Sequence, residues 1–281
     1  MKLNNTLLVP TDFSDVCHNA IDYAVKVAKD IGFKVVIYHV INKDTHALFK
    51  GQGEIGTAVA SKLQNIIDEF KLQFDVEMEF MYESGSIFDL IHAKAEETGA
   101  NMIILGTHGK KGMQHLMGSY ALKVITQSQV PTVVVQKKKF GGINNILFPI
   151  NSFTEARQKV GYASAIATRF GSTIHIYKER VSDAGQASRI EIIAKQIAEE
   201  FNKLGVKYTI NSSEKGGESA KKLVEYAVET GMDMVAIVTE PQLGTNYFNL
   251  GPWNEKIMFN EAQIPVMCIN PVQQGFIYFD L

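Results

Sequence analysis

Cysteine is scarce in this sequence: Cys17 and Cys268 are the only two. They sit in different halves, each beside a helical or strand pattern. That excludes a disulfide framework or a cysteine-based metal knot and predicts two buried free thiols. Charge of one sign is missing as well. Lys and Arg number 28 against 30 Asp and Glu, a net charge of −2. No general field draws the chain to DNA or to a membrane surface, so neither is expected as a partner. The one basic cluster, Lys137-Lys138-Lys139, falls where a linker is expected and reads as solvated chain. Long apolar runs are absent too. The first is broken by Pro10, too short for the apolar region of a signal peptide, and none approaches membrane-spanning length. A cytoplasmic location is the resulting expectation. What remains is 281 residues, 46% hydrophobic and 21% charged, which suits about two ordinary globular domains.

Two strand ends carry the chemistry. The apolar run Met102-Ile103-Ile104-Leu105 ends in Gly106-Thr107-His108-Gly109, and Gly118-Ser119 then opens a helical pattern. Glycines let a backbone come close to a phosphate, and the first turn of a helix offers N–H groups without partners. A second run, Leu7-Leu8-Val9-Pro10-Thr11-Asp12-Phe13-Ser14, ends on a carboxylate. Together they suggest a phosphate cradle and an adenosine anchor at the carboxyl ends of two strands.

The chain also repeats itself. Asn145-Ile146-Leu147-Phe148-Pro149-Ile150-Asn151-Ser152-Phe153 echoes residues 6–14. Helices at Ala20 to Ile31 and Ala156 to Phe170 follow, each stopped by a glycine, Gly32 or Gly171. Ala95-Glu96-Glu97-Thr98-Gly99 matches Ala227-Val228-Glu229-Thr230-Gly231, and Val130-Pro131 matches Ile264-Pro265. Two domains, 1–139 and 143–281, result, with the boundary in Lys137 to Asn144. The first copy reads as strand 6–10, helix 15–31, strand 34–41, helix 57–71, strand 74–82, helix 86–98, strand 101–106, helix 118–128 and strand 131–136. Strands alternating with helices predict an α/β fold with a parallel sheet covered on both faces. In such sheets a ligand sits beyond the carboxyl ends, where the strand order reverses.

Pro10-Thr11-Asp12-Phe13-Ser14, His39-Val40 and Gly106-Thr107-His108-Gly109 with Gly118-Ser119 resemble the universal stress protein family, as a tandem pair spanning the whole chain. The resemblance implies two tandem doubly wound parallel-sheet domains, Rossmann-like and similar to adenine nucleotide alpha hydrolases. In ATP-binding members the first-strand Asp contacts adenosine, backbone after the second strand pairs with adenine, and the glycine loop holds phosphates. Carried over, this implicates Pro10, Thr11, Asp12, Val40, Gly106, His108, Gly109, Gly118, Ser119 and Tyr120. The implied ligand is ATP, with any Mg²⁺ held mostly through phosphate and water oxygens. The span between Gly109 and Gly118 holds eight residues, one fewer than the family pattern. Members commonly pair through their last strands. The resemblance therefore implies that Thr132 to Gln136 lies beside Val266 to Asn270, and it leaves room for a further homodimer.

Each residue also has a local reading. Asp12 suits a cap or turn before the first helix, Ser119 an N-cap, and Gly106 and Gly109 a tight turn. His39 reads as a partly buried structural histidine. Phe70, Phe74 and Phe80 read as core. His115 lies near His108 in sequence, with no spaced set of ligands that would make a metal site. In the second copy Asn151 stands for Asp12, and Val238-Thr239-Glu240-Pro241 for Gly106-Thr107-His108-Gly109. Glu240 brings negative charge and Pro241 lacks an N–H donor, so this copy reads as one that has lost ATP binding. The rival is another ligand, held by Tyr247, Phe248 and Trp253. The leading function is a stress-response protein that senses or regulates through ATP bound in its first domain. The alternatives are a slow ATP hydrolase, or an interaction module with a relic loop. No G-x-x-x-x-G-K-[ST] loop is present, and no acid lies near the glycine loop, so a dedicated ATPase is not expected. A dinucleotide enzyme is a weak fit, because the glycines follow a late strand. An electron-transfer flavoprotein-like relative fits better. The tail from Pro271, with Phe276, Ile277, Tyr278, Phe279 and Leu281, is expected to dock on its own chain.

Overall fold

A computed structural model describes residues 4–108, 117–151, 154–213, 220–241, 248–249 and 251–271, with residues 117–120, 154, 240–241 and 248–249 described by backbone alone. His115, Tyr247 and the apolar tail beyond Pro271 lie outside the described residues, as does the side chain of Phe248. The chain divides into two compact units, Met1–Phe140 and Gly141–Leu281.

The first unit runs β1 (Thr6–Pro10), α1 (Asp15–Ile31), β2 (Lys34–Ile41), α2 (Lys43–Leu48), α3 (Ile55–Lys71), β3 (Met78–Ser84), α4 (Ile87–Thr98), β4 (Ala100–Gly106), α5 (Met117–Gln127) and β5 (Thr132–Val135). Its strands are parallel, in the order β3-β2-β1-β4-β5. Residues Thr6–Pro10 of β1 are all buried, whereas the edge strand β3 is mostly half-exposed. Order therefore reverses between β1 and β4. The α1 and α3 helices meet where the His18 ring lies 5.2 Å from that of Phe70, and α4 packs on α5. Right-handed connections leaving β1 and β4 in opposite directions cover both faces of the sheet.

Local chemistry explains the element ends. Buried Val16, Ala20, Ile21, Ala24, Val27 and Ala28 give α1 its apolar face. Gly32 closes α1 at φ 71°, its N–H donating to Ala28 O. The ladder between β1 and β4 slips after Thr6, and there the Asn101 side chain accepts the Thr6 N–H at 3.0 Å. Both thiols are free and buried. Lys137, Lys138 and Lys139 are exposed. Their backbone is nevertheless fastened, since Asn19 Nδ2 donates to Gln136 O (2.8 Å) and Lys138 O (3.2 Å).

The elements of the first unit depart from expectation in two places. The strand expected at 74–82 begins at Met78, because Phe74 N–H still donates back to Phe70 O at the end of α3. The stretch after β2, for which the sequence predicts no helix, contains α2, whose Asn42 and Thr45 form a reciprocal capping box. Phe70 is buried, while Phe74 and Phe80 are half-buried.

The second unit runs β6 (Asn145–Ile150), a 3-10 turn (Thr154–Lys159), α6 (Val160–Phe170), β7 (Thr173–Lys178), α7 (Ala184–Lys203), β8 (Lys207–Ser212), α8 (Ala220–Glu229), β9 (Met234–Val238), β10 (Glu240–Pro241), β11 (Phe248–Asn249), α9 (Gly251–Met258) and β12 (Val266–Ile269). Its parallel strands lie in the order β8-β7-β6-β9-β12, the plan of the first unit, with β10 and β11 as a separate antiparallel pair. The helix expected from Ala156 is α-helical only from Val160. Its opening turn is the tighter 3-10 form.

Candidate functional site

The reversal point of the first sheet is built from the turn after β1. Thr11 N–H makes the last rung to β2, donating to Tyr38 O at 2.9 Å. The turn then closes by side-chain bonds: Phe13 N–H donates to Thr11 Oγ1 (3.1 Å) and Ser14 N–H to Asp12 Oδ1 (2.9 Å). Between them Phe13 takes φ 67°, left-handed backbone that is an outlier for a bulky residue and marks strain held by its surroundings. Its ring centroid lies 4.4 Å from that of His39 and 5.6 Å, edge-on, from that of Phe49.

Asp12 is exposed at the tip of this turn. Partial desolvation pushes its carboxyl up, but donors on Ser14 and Cys17 outweigh that and hold it below its ordinary value. It is a carboxylate at neutral pH and plays both its local and its exposed part at once. The Asx bond fixes its position, and the turn presents it beyond the sheet. Pro10 is the last residue of β1, and Thr11 is spent on the turn.

His39 is buried at 3% exposure. Its Nδ1–H donates to Thr11 O (2.7 Å), and Nε2 accepts from the Thr45 hydroxyl (3.0 Å). The carbonyl only accepts, which fixes the tautomer. Burial lowers its pKa, against the raising effects of the Thr11 carbonyl and the Asp12 charge. Both ring nitrogens are committed, so His39 is structural, as its sequence setting suggests. Burial, with the Asp12 charge adding to it, pushes the Cys17 thiol up to about 12, and neither group serves as a nucleophile or base.

Val40 lies on β2 beyond the last rung to β1, since that pairing ends at Pro10 with Tyr38. Strand alternation turns its N–H and C=O to the same edge as those of Tyr38. Two hydrogen-bonding backbone groups thus stand at the reversal-point edge, where β1 has no further residue to pair.

Gly106 ends β4. A Cβ there would lie 2.6 Å from Val16 O and 2.9 Å from the Cys17 Cα. Its missing side chain lets the first turn of α1 lie against the strand, a packing demand rather than the tight turn of the local reading. His108 is exposed, and Gly109 lies outside the described residues. Gly118, Ser119 and Tyr120 fall in the first turn of α5, which starts at Met117. Ser119 is therefore inside the helix and not its N-cap. Backbone N–H groups of the first four helical residues have no intrahelical acceptor, so these three residues bring such donors. Their side chains are among those not described. Sequence reasoning missed Phe13, Phe49 and Thr45, which brace the turn. The Asn42-x-x-Thr45 capping pattern was the available signal for the last. Among the described residues, no three His, Cys, Asp or Glu side chains gather as a metal site would require.

The Universal stress protein family model matches residues 4–136. The universal stress protein MJ0531 of Methanocaldococcus jannaschii is 28% identical over 149 residues, covering 49% of this chain and 85% of that relative. The universal stress protein YxiE of Bacillus subtilis is 27% identical over 147 residues, covering 47% of this chain and 99% of the relative. A solved universal stress protein from Archaeoglobus fulgidus shares the fold over 95% of this chain and 98% of its own, with a TM-score of 0.72 at 18% identity. Residues 4–136 thus match the universal stress protein family.

Proposed function

We propose that the first unit binds ATP at the β1–β4 reversal point and that the protein acts as a nucleotide-dependent sensor or regulator. What supports this reading is that three unlike groups stand at or follow the carboxyl ends of neighbouring strands of one sheet. The fixed Asp12 carboxylate stands after β1, the Val40 backbone edge after the β1–β2 ladder ends, and the first-turn N–H groups of α5 follow β4. A carboxylate suits ribose hydroxyls, a strand-edge N–H and C=O suit an adenine edge, and a helix N-terminus suits phosphate. Asp12, Val40, Gly118, Ser119 and Tyr120 would hold the nucleotide, with His108 and Gly109 on the connecting loop. Mg²⁺, if carried in, would ride on phosphate oxygens. The described groups around Asp12 supply binding and no proton transfer, because His39 and Cys17 are committed or held protonated.

Calorimetric titration of the full chain with ATP tests the reading. Asp12→Ala is expected to weaken binding by roughly 1–3 kcal/mol, the scale of a hydrogen bond to a charged group. Asp12→Asn keeps the Asx bond to Ser14 and so separates loss of the turn from loss of the charge. Unchanged ATP affinity in both variants would overturn the assignment. Phosphate release measured in the same samples distinguishes a slow hydrolase from a binding protein.

A further inference from the structure

We propose that the second unit holds a small organic cation, an amine on an apolar or aromatic body, in a cavity at the carboxyl ends of β6, β7 and β9. The cavity measures about 490 Å³, within the size range of small-molecule sites. It occupies the second unit's own reversal point, between β6 and β9. Its chemistry is unlike that of the first.

The sequence opens it. Val238 stands where the first unit has Gly106, whose vacant Cβ position is filled by backbone of the first α1 turn, with Val16 O only 2.6 Å away. With a valine there, the matching segment cannot settle as α1 does. It forms the 3-10 turn Thr154–Lys159, and the α-helix begins only at Val160. Lys159, which matches buried Ala20, fills part of the gap.

Three donors in the walls are turned onto the protein itself. Lys159 Nζ donates to Pro149 O and, at 3.0 Å, to Ala236 O, and it sits 4.2 Å from the Phe148 ring centroid. These contacts turn the amine onto the strands. Burial holds this amine well below its ordinary pKa. Asn254 Nδ2 donates to Val238 O at 2.9 Å, and the Thr239 hydroxyl to Asn270 Oδ1 at 2.6 Å.

Carboxylates and aromatic side chains make up another part of the walls. Glu155 comes from the 3-10 turn and Glu179 from just beyond β7, both lining the cavity and both half-buried. A carboxylate has about four acceptor positions, so bonds each already makes leave it able to take a further donor. Tyr177 and Trp253 add aromatic walls, and aromatic faces attract cations. Two carboxylates in a partly apolar cavity oppose a phosphate and favour an ammonium.

Trp253 is the single tryptophan of the chain, so its fluorescence reports on this cavity. The full chain is titrated, without nucleotide, with 2-phenylethylamine, its neutral analogue 2-phenylethanol and the anion 3-phenylpropionate. The amine is expected to give a saturable change and to bind about tenfold tighter than the alcohol, the scale of one charge-assisted hydrogen bond. The propionate should give none. Glu155→Gln with Glu179→Gln, shown to fold by its circular dichroism, should bring the amine down to the alcohol. The proposal is overturned if the amine gives no saturable change, if alcohol or propionate binds as well, or if the folded double variant keeps the amine's advantage. ATP binding at Asp12 is read separately by calorimetry, so either assignment can fail alone.

Discussion

His39 links the turn after β1 to the turn after β2, through Thr11 O on one nitrogen and Thr45 on the other. A second proton would have to be accommodated in a buried site under the Phe13 ring. Its folded pKa is lowered from 6.5, so between the folded value and 6.5 the unfolded chain binds the proton and the folded chain does not. Stability from His39 is then complete above about pH 6.5 and is lost as pH falls from there toward the folded value. His39→Asn, which keeps an N–H donor and removes the titration, should flatten part of the fall in melting temperature between pH 7.5 and 5. His175, also lowered by burial, is unchanged in both proteins, so the difference belongs to His39. Identical pH dependence in parent and variant would contradict this account.

The contact between the first turn of α1 and the end of β4 is the most specific packing of the candidate site. Gly106→Val imposes on the first unit what Val238 already is in the second. It should destabilise by about 1–3 kcal/mol, as overpacking does, and speed amide exchange at Val16 to His18, read by urea midpoint and hydrogen exchange. An unchanged midpoint would mean that the turn yields freely. Helix and strand order was legible in residues such as Gly32, Gly99 and Gly171, which stop helices at positive φ, and in the apolar runs of β1 and β4. Asp12 and Gly106 were legible as strand-end residues. Three things were not legible. The start of β3 depends on where α3 releases the chain at Phe70. The 3-10 turn packs against β9, some 80 positions further along the chain. The buried Lys159 reads in sequence as an ordinary surface lysine after Gln158, because burial by a distant strand leaves no local pattern.

Across the whole chain, two units share one strand order while their reversal points differ in chemistry. Matched to His108 and Gly109 are Glu240 and Pro241, and the structure engages these two residues in the β10–β11 ladder. One ATP per chain is the expected calorimetric stoichiometry. A value near two, or loss of ATP binding in Asn151→Ala with Asp12 intact, would contradict it. The thiols bear on how such experiments can be done. Cys17 is 7% exposed and pushed up to about 12, and Cys268 is 2% exposed and raised further by burial. Thiolate, not thiol, attacks maleimides and iodoacetamides. The native chain is therefore almost silent to such reagents, and a cysteine placed on either unit's surface becomes a single address for a dye or spin label.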